Sequence, residues 1–285
     1  MASFDEARLE DSIIKLLEKQ GYEYSLGSTI TRNYKTVLLE QDLIDFLARK
    51  YQSVGITDLE INRIVSSLAN LSPYPLYNAN REIMIKISDG FILNRENQED
   101  KDFVVSLIDF ESPDNNKWRV VNQLTIKGPE ETRRPDVIIY INGLPLIVWE
   151  FKSAIKEDTT ITDAYNQVAI RYRRGIPELL KYNAFTVISD GVNNKYGSIF
   201  APLEYFYAWR RIDEDSKEVD GLDSLFTMAE GLFDKNRLLA VLKDFIYFPD
   251  DSQKENKIVV RYPQFFAANK LYKNIKSHMK PNGDG

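Results

Sequence analysis

The sequence contains no cysteine and a single histidine, His278. The lack of cysteine excludes disulfides and thiolate metal sites, and it fits a protein of a reducing compartment such as the cytoplasm. A single histidine near the end of the chain nearly excludes a His-based catalytic triad and a histidine-rich zinc site. A metal ion would therefore need oxygen ligands, which favours Mg²⁺, Mn²⁺ or Ca²⁺.

Long apolar runs, targeting patterns and an excess of positive charge are also absent. No stretch approaches the roughly 18 apolar residues of a membrane span, and 1–10 lack the pattern of a signal peptide. We therefore expect a cytoplasmic protein that does not associate with membranes. The net charge of −6 argues against a protein that coats nucleic acid, although it is compatible with a local basic groove. No internal repeat and no G-x-x-x-x-G-K-[ST] phosphate-binding loop occurs in this sequence.

Hydrophobic periodicity predicts an α/β fold. Apolar residues at helical spacing predict a first helix that ends near Gly21, then helices over 41–50 and 58–71, a short helix before Gly90, and helices over 162–174, 223–231 and 235–248. Runs rich in β-branched and aromatic residues predict strands over 103–110, 118–126, 137–141, 146–151 and 184–189. This order indicates a mixed, mostly antiparallel sheet flanked by helices, with a polar linker over 250–256.

Three charged residues interrupt the two most apolar predicted strands. Asp136 begins the first of them, and Glu150 and Lys152 lie at the end of the second. Side chains two positions apart on a strand share a face, so Glu150 and Lys152 should project together. In a hairpin, the start of the first strand lies beside the end of the second, which brings Asp136 near Glu150.

The length of the hairpin connection decides whether these carboxylates share a face. A two-residue Asn142-Gly143 turn would place Asp136 opposite Trp149, on the wrong side of the sheet. A three-residue connection over 142–144 would place Asp136 opposite Glu150. A shared carboxylate site therefore predicts the three-residue connection.

Two carboxylates on one face would form an oxygen site for a divalent cation, which lowers the pKa of bound water and offsets charge on a phosphate. Lys152 could then orient the attacking water or stabilise the developing charge, and Glu10 on the first helix could supply a further acid. The simpler alternative is that these are solvated charges at strand ends. From the residues alone, the two interpretations are about equally supported.

Basic side chains surround this segment in an otherwise acidic chain. Arg134 flanks Asp136, and Gln167, Arg171 and Arg174 lie on one side of a regular helix over 162–174. Phosphate contacts are one interpretation. A charged solvent-facing surface is the other.

The segment RRPDVIIYINGLPLIVWEFKSA resembles the nuclease motif of the restriction subunit of type I restriction–modification enzymes, which belong to the PD-(D/E)xK nuclease superfamily. The resemblance implies a PD-(D/E)xK endonuclease core with Asp136, Glu150 and Lys152 as its catalytic residues. It also implies Mg²⁺-dependent cleavage of double-stranded DNA, with Mn²⁺ as a substitute ion. Glu10, in LEDSIIKLLEKQGY, is similar to the family's first-helix glutamate and would join Asp136 and Glu150 at the metal.

The helix after this motif is similar to a family helix that carries a Gln-x-x-x-Tyr pattern. Gln167 matches the glutamine. The tyrosine is Tyr172, five residues later, and Arg171 stands at the fourth place. Tyr172 would fill the family position only if the helix bulges.

The last segment, KIVVRYPQFFAANKLYKNI, resembles the lead-in to the family's superfamily 2 helicase-like motor, with Gln264 at the place of an adenine-contacting glutamine. The resemblance divides the chain into an endonuclease domain over 1–250 and a linker with the beginning of the motor over 251–285. ATP binding and DNA translocation would then require the full-length protein. Methyltransferase and specificity subunits are the implied partners.

Two other functions remain open. A stand-alone nuclease of the same fold would cut DNA without a motor. A non-catalytic DNA-binding or assembly module would keep the fold but not the chemistry.

Overall fold

The computed structural model describes residues 6–97, 99–152, 160–249 and 255–279. Its strands are β1 (Glu23–Leu26), β2 (Phe91–Leu93), β3 (Phe103–Val105), β4 (Trp118–Asn122), β5 (Ile126–Lys127), β6 (Thr132–Arg133), β7 (Val137–Ile141), β8 (Leu144–Phe151), β9 (Phe185–Ser189), β10 (Asn194–Gly197), β11 (Ile246–Tyr247) and β12 (Ile258–Val259). Its helices are α1 (Glu6–Lys19), α2 (Glu40–Lys50), α3 (Asp58–Ala69), α4 (Leu76–Ser88), α5 (Ile161–Asn166), α6 (Arg173–Gly175), α7 (Pro177–Leu180), α8 (Asp223–Leu232), α9 (Lys235–Asp244) and α10 (Tyr262–His278).

The main sheet has six strands in the order β1-β4-β7-β8-β9-β10. The β1/β4 and β8/β9 pairs are parallel, and the other three are antiparallel. The predicted α/β class with a mixed, mostly antiparallel sheet is confirmed. Every residue of β7, β8 and β9 is buried, which explains why these strands read as continuous apolar runs rather than as alternating ones.

The β7–β8 hairpin has a two-residue turn, so the predicted three-residue connection is wrong. Ile141 pairs with Leu144, and Asn142 and Gly143 between them have φ values of 50° and 78°. Positive φ at both positions is what a type I′ turn requires. A Cβ on Gly143 would lie 2.2 Å from the Leu39 carbonyl oxygen, so the turn also needs glycine for space.

A β-bulge in β8 restores the register in which Asp136 is opposite Glu150, which a two-residue turn alone would not give. The pairing shifts by one residue at Leu146, so Val137 pairs with Trp149. One step further along the same register, Asp136 stands opposite Glu150. The extra residue that this arrangement requires lies within β8 rather than in the loop.

Two strand predictions were too long. The strand predicted over 103–110 ends at Val105, and β3 pairs with β2 in a separate two-stranded sheet. The strand predicted over 118–126 ends at Asn122, because Gln123 adopts a positive φ of 52° and turns the chain. Strands β1 and β10 were not predicted, since EYSL and NKYG are short and lack an apolar pattern.

The predicted helices are confirmed, with two changes at their ends and one inside. Gly21, at φ 83°, follows the first helix as expected. The helix over 58–71 ends at Ala69, and the one over 235–248 ends at Asp244 and is followed by β11. The predicted helix over 162–174 contains a π-helical segment, Gln167–Tyr172, between α5 and α6.

Most of the predicted linker, 250–254, lies outside the described residues, and the proposed division at residue 250 stays a prediction. Beyond it, β12 pairs with β11, and Phe265 of α10 packs against Trp209 and Phe245. Across the described part of the chain, no helix combines the length and apolar character that crossing a membrane requires.

Candidate active site

Asp136 lies where β7 begins, directly after the buried Pro135. Its Oδ2 accepts a hydrogen bond from the Phe151 backbone N–H at 2.8 Å. Its Oδ1 accepts a longer one, of 3.3 Å, from the Gln123 side-chain amide. The hairpin register therefore fastens this carboxylate to the end of β8.

Glu150 is the buried carboxylate of the pair, with 2% of its surface exposed. Its Oε1 accepts a hydrogen bond from Lys152 Nζ at 2.7 Å, and its Oε2 accepts one from the Tyr172 hydroxyl at 2.8 Å. Lys152 Nζ also donates to the Phe151 carbonyl at 2.8 Å. The structure thus brings Asp136, Glu150 and Lys152 together, as the strand pattern predicted.

Glu10 reaches the same place from α1. Its two carboxylate oxygens accept from the Asn122 amide at 2.6 Å and from the Gln123 amide at 2.8 Å. Because Gln123 Nε2 also donates to Asp136, one amide group joins the two carboxylates. Glu10 is thus part of the cluster and is not a solvated glutamate on the helix surface.

Burial dominates the electrostatics of this cluster. Desolvation, reinforced by the charge of Asp136, raises the pKa of Glu150 to about 7, although Lys152 and Tyr172 oppose the shift. Desolvation also raises the pKa of Asp136 and of Glu10. Burial disfavours the charge of Lys152 as well, but the negative charges of Glu150 and Asp136 raise its pKa overall. The three carboxyl groups of this cluster therefore outnumber its one ammonium group, that of Lys152.

The carboxylates do not form a closed cage. Among the described residues, no three acidic or histidine side chains lie close enough together to enclose a metal ion. Instead, Lys152 and Gln123 place nitrogen donors against the oxygens of Glu150, Asp136 and Glu10. A cation could reach Glu150 Oε1 once the Lys152 ammonium moves aside.

The π-helical segment places Tyr172 in this cluster. It adds one residue to a helical turn, so positions five apart take the relationship that positions four apart have in an α-helix. Gln167 and Tyr172 are thereby aligned, and Gln167 lowers the pKa of the Tyr172 hydroxyl, which burial raises. The bulge on which the match of Tyr172 depended is present.

The predicted basic residues are all exposed, and they differ in whether they form an ion pair with an acidic side chain. Arg134 and Arg171 are exposed; Arg134 lies near enough to Glu10 to lower its pKa, and Arg171 donates to Gln167 Oε1 at 3.0 Å. Arg174 is also exposed, but it pairs with Glu130 at 3.1 Å. Any DNA contact by these side chains stays a prediction.

Gln264 does not belong to this cluster. It is exposed on α10, where its Oε1 accepts from the Arg261 N–H at 3.3 Å. It lines a separate cleft of about 710 Å³ together with Tyr207, Lys257 and Arg261.

The sequence did not predict that Asn122, Gln123 and Glu6 lie at this carboxylate cluster. Asn122 and Gln123 were assigned to the interior of a strand, where their amides would have had no reason to meet Glu10. Glu6, one turn before Glu10, contributes negative charge that raises the pKa of Asp136 and of Lys152. The adjacent polar pair Asn122-Gln123 within an apolar run was the one local sign of a break in the strand.

Comparison with known proteins assigns the chain to a family. Residues 3–205 match the family described as the N terminus of the type I restriction enzyme R protein. The chain is 31% identical, over 94% of its length, to the putative type I restriction enzyme MjaIXP endonuclease subunit of Methanocaldococcus jannaschii, and it covers 28% of that protein. It is 29% identical, over 93% of its length, to the type I restriction enzyme HindI endonuclease subunit of Haemophilus influenzae, and it covers 26% of that protein. The chain spans about a quarter of the length of these relatives, and it belongs to the family of type I restriction enzyme R protein N-terminal regions.

Proposed function

We propose that this chain carries the DNA-cleaving centre of a type I restriction enzyme, a PD-(D/E)xK nuclease site that hydrolyses double-stranded DNA with Mg²⁺ or Mn²⁺. The observation that carries the proposal is the strand register in which Asp136 lies opposite Glu150. In this arrangement the Lys152 ammonium donates a hydrogen bond to Glu150. The names of the relatives as endonuclease subunits support it.

The donor set suits such an ion. Magnesium and manganese prefer carboxylate and carbonyl oxygens, which here would come from Asp136, Glu150, Glu10 and the Phe151 carbonyl. When bound, the ion would supply an activated water and neutralise charge on the phosphate. The excess of buried carboxylate over ammonium is the electrostatic reason for a cation to bind here.

The protein side chains have separate tasks. Asp136 is held rigidly by the Phe151 N–H, and Glu150 by Tyr172, so both are oriented before DNA arrives. Lys152, released from Glu150, would place its ammonium against the attacked phosphate or the entering water. Arg134, Arg171 and Arg174 are the cations that would meet the DNA backbone.

The remainder of the proposal concerns the whole enzyme. Methyltransferase and specificity subunits would supply modification and sequence recognition. ATP-driven translocation would require a motor beyond the described residues, to which Gln264 would contribute an adenine contact.

The test is calorimetric titration of the chain with Mg²⁺ and with Mn²⁺, on the wild type and on Asp136→Asn and Glu150→Gln. We expect both substitutions to reduce metal affinity at least tenfold, because each removes a charged ligand. Glu18→Gln, on the exposed side of α1, is the matched control. Binding that is the same in all four proteins would contradict the proposal.

A nicking assay separates a nuclease from an assembly module of the same fold. We expect metal-dependent nicking of supercoiled plasmid by the wild type and none by Lys152→Gln, which keeps the metal ligands. If the chain binds the metal ion but shows no nicking that Lys152→Gln abolishes, the non-catalytic module is favoured.

A further inference from the structure

The turn that ends β4 carries two neighbouring amide side chains, and both face acidic residues. Asn122 Nδ2 donates to Glu10 Oε1 at 2.6 Å, and the Tyr24 hydroxyl donates to Asn122 Oδ1 at 3.1 Å. Gln123 Nε2 donates to Glu10 Oε2 at 2.8 Å and to Asp136 Oδ1 at 3.3 Å. Among the residues that the structure describes, the side chains that donate hydrogen bonds to the Glu10 carboxylate both come from this turn.

The backbone of the turn is held in an unfavourable conformation. Gln123 has a φ of 52°, in the left-handed region that residues other than glycine rarely adopt. Its N–H donates to the Asp136 carbonyl at 2.9 Å, which ties the turn to the start of β7. On the other side, a Cβ on Gly27 would lie 2.7 Å from the Asn122 carbonyl and 2.5 Å from Leu124 Cα, so the turn is fixed by close packing.

The position of the Gln123 amide has a chemical consequence. Glu10 and Asp136 come from α1 and β7, and their negative charges repel each other in a partly desolvated site. A neutral donor shared between them offsets that repulsion without adding a charge. Unlike an ammonium, it does not compete electrostatically with an incoming cation.

We propose that Gln123 is a positioning residue of the nuclease centre, one that holds Glu10 beside Asp136 so that both carboxylates face the divalent cation together. This inference rests on the proposed function. Gln123 itself need not touch the metal ion or the DNA, because it acts through Glu10 and Asp136.

The experiment is calorimetric titration with Mn²⁺ of the wild type, Gln123→Gly, Glu10→Gln and the double variant. Glycine suits the positive φ, so Gln123→Gly removes the amide while keeping the backbone, and Gln123→Met tests the same loss with side-chain length retained. We expect either change to weaken Mn²⁺ binding about tenfold, as is typical when a group that orients a metal ligand is removed. In the Glu10→Gln background, we expect Gln123→Gly to have little further effect, since the two act through one interaction.

The outcomes separate this inference from the function on which it rests. Unchanged affinity in Gln123→Gly and Gln123→Met, or an equal loss with and without Glu10, would overturn the role of Gln123 even while Asp136→Asn abolishes binding. If the wild type does not bind Mn²⁺, or if Asp136→Asn binds it equally well, the proposed nuclease centre fails and this inference fails with it.

Discussion

Glu150 shows how a single residue is tuned by its surroundings. Its carboxylate is almost completely buried, and burial together with Asp136 raises its pKa to about 7. Lys152 and Tyr172 each donate a hydrogen bond to it and reduce that shift without cancelling it. The folded protein therefore keeps a proton on Glu150 at a pH where an unfolded chain would have lost it.

This tuning predicts how stability depends on pH. A carboxyl group whose folded pKa exceeds its unfolded value stabilises the fold at low pH, and that contribution is lost as pH rises. For Glu150 the loss should occur between its ordinary value of 4.5 and about 7, and it should amount to about 3 kcal/mol. We expect the free energy of unfolding of Glu150→Gln, measured by urea denaturation, to fall less steeply with rising pH than that of the wild type between about pH 4 and about pH 8.

Asp136 and Glu10, whose pKa values are also raised by burial, should keep part of the slope in Glu150→Gln. Glu18→Gln, which changes an exposed glutamate, should retain the slope of the wild type. A Glu150→Gln profile parallel to that of the wild type would show that Glu150 does not titrate in this window.

Two one-residue irregularities shape the site at the level of secondary structure. The bulge at Leu146 brings Asp136 opposite Glu150, and the π-helical segment brings Tyr172 to Glu150. Each adds one residue to a regular repeat and so turns the following side chains onto the required face. The site thus depends on departures from ideal geometry in both a strand and a helix.

The π-helical segment should tolerate the loss of one residue. Deleting Ile170, which is 60% exposed, converts the segment into a regular α-helical turn and leaves Tyr172 four positions after Gln167. We expect the free energy of unfolding, measured in urea, to change by less than about 1 kcal/mol, because no buried contact is lost.

Deletion of Asn62, an exposed residue of the regular helix α3, is the control. It rotates one side of the helix by about 100° and displaces the buried Ile64, Val65 and Leu68, so it should cost several kcal/mol. Equal losses in the two deletions would mean that the π-helical geometry is itself required for stability.

At the level of the whole molecule, charge distribution would be the main determinant of the DNA affinity that the proposed function requires. The net charge of −6 opposes long-range attraction to DNA. Several arginines near the site are also engaged with acids: Arg133 pairs with Glu131, Arg173 with Glu255 and Arg174 with Glu130. Affinity for free DNA should therefore come from a few local contacts.

Those contacts can be counted by salt dependence. We expect Arg134→Gln and Arg171→Gln each to lower the slope of log K against log salt concentration by about 1, for duplex DNA binding followed by fluorescence anisotropy. Lys86→Gln, which alters a partly exposed lysine paired with Glu82, should leave the slope unchanged. Slopes that are identical in all three variants would remove Arg134 and Arg171 from the DNA interface.

The sequence predicted the elements better than the contacts between them. Strands β7, β8 and β9 were found because a buried run of apolar residues is a local property. The turn at Gln123 was missed because its positive φ is held by Gly27 and Asp136, which are not its neighbours in sequence. Edge strand β10 was missed because its pairing with β9, rather than its own composition, makes it a strand.

What the sequence by itself determined is the apolar hairpin, the three charges that interrupt it, and the absence of cysteine or a second histidine that restricts any metal site to oxygen ligands. Only the tertiary structure decided that the extra residue lies in the strand, that Tyr172 reaches Glu150, and that Asn122 and Gln123 meet Glu10. Asn122 and Glu10 are 112 positions apart. Hydrophobic pattern and turn chemistry act over a few residues, whereas such contacts arise when helix α1 packs on the sheet, and no local pattern records that packing.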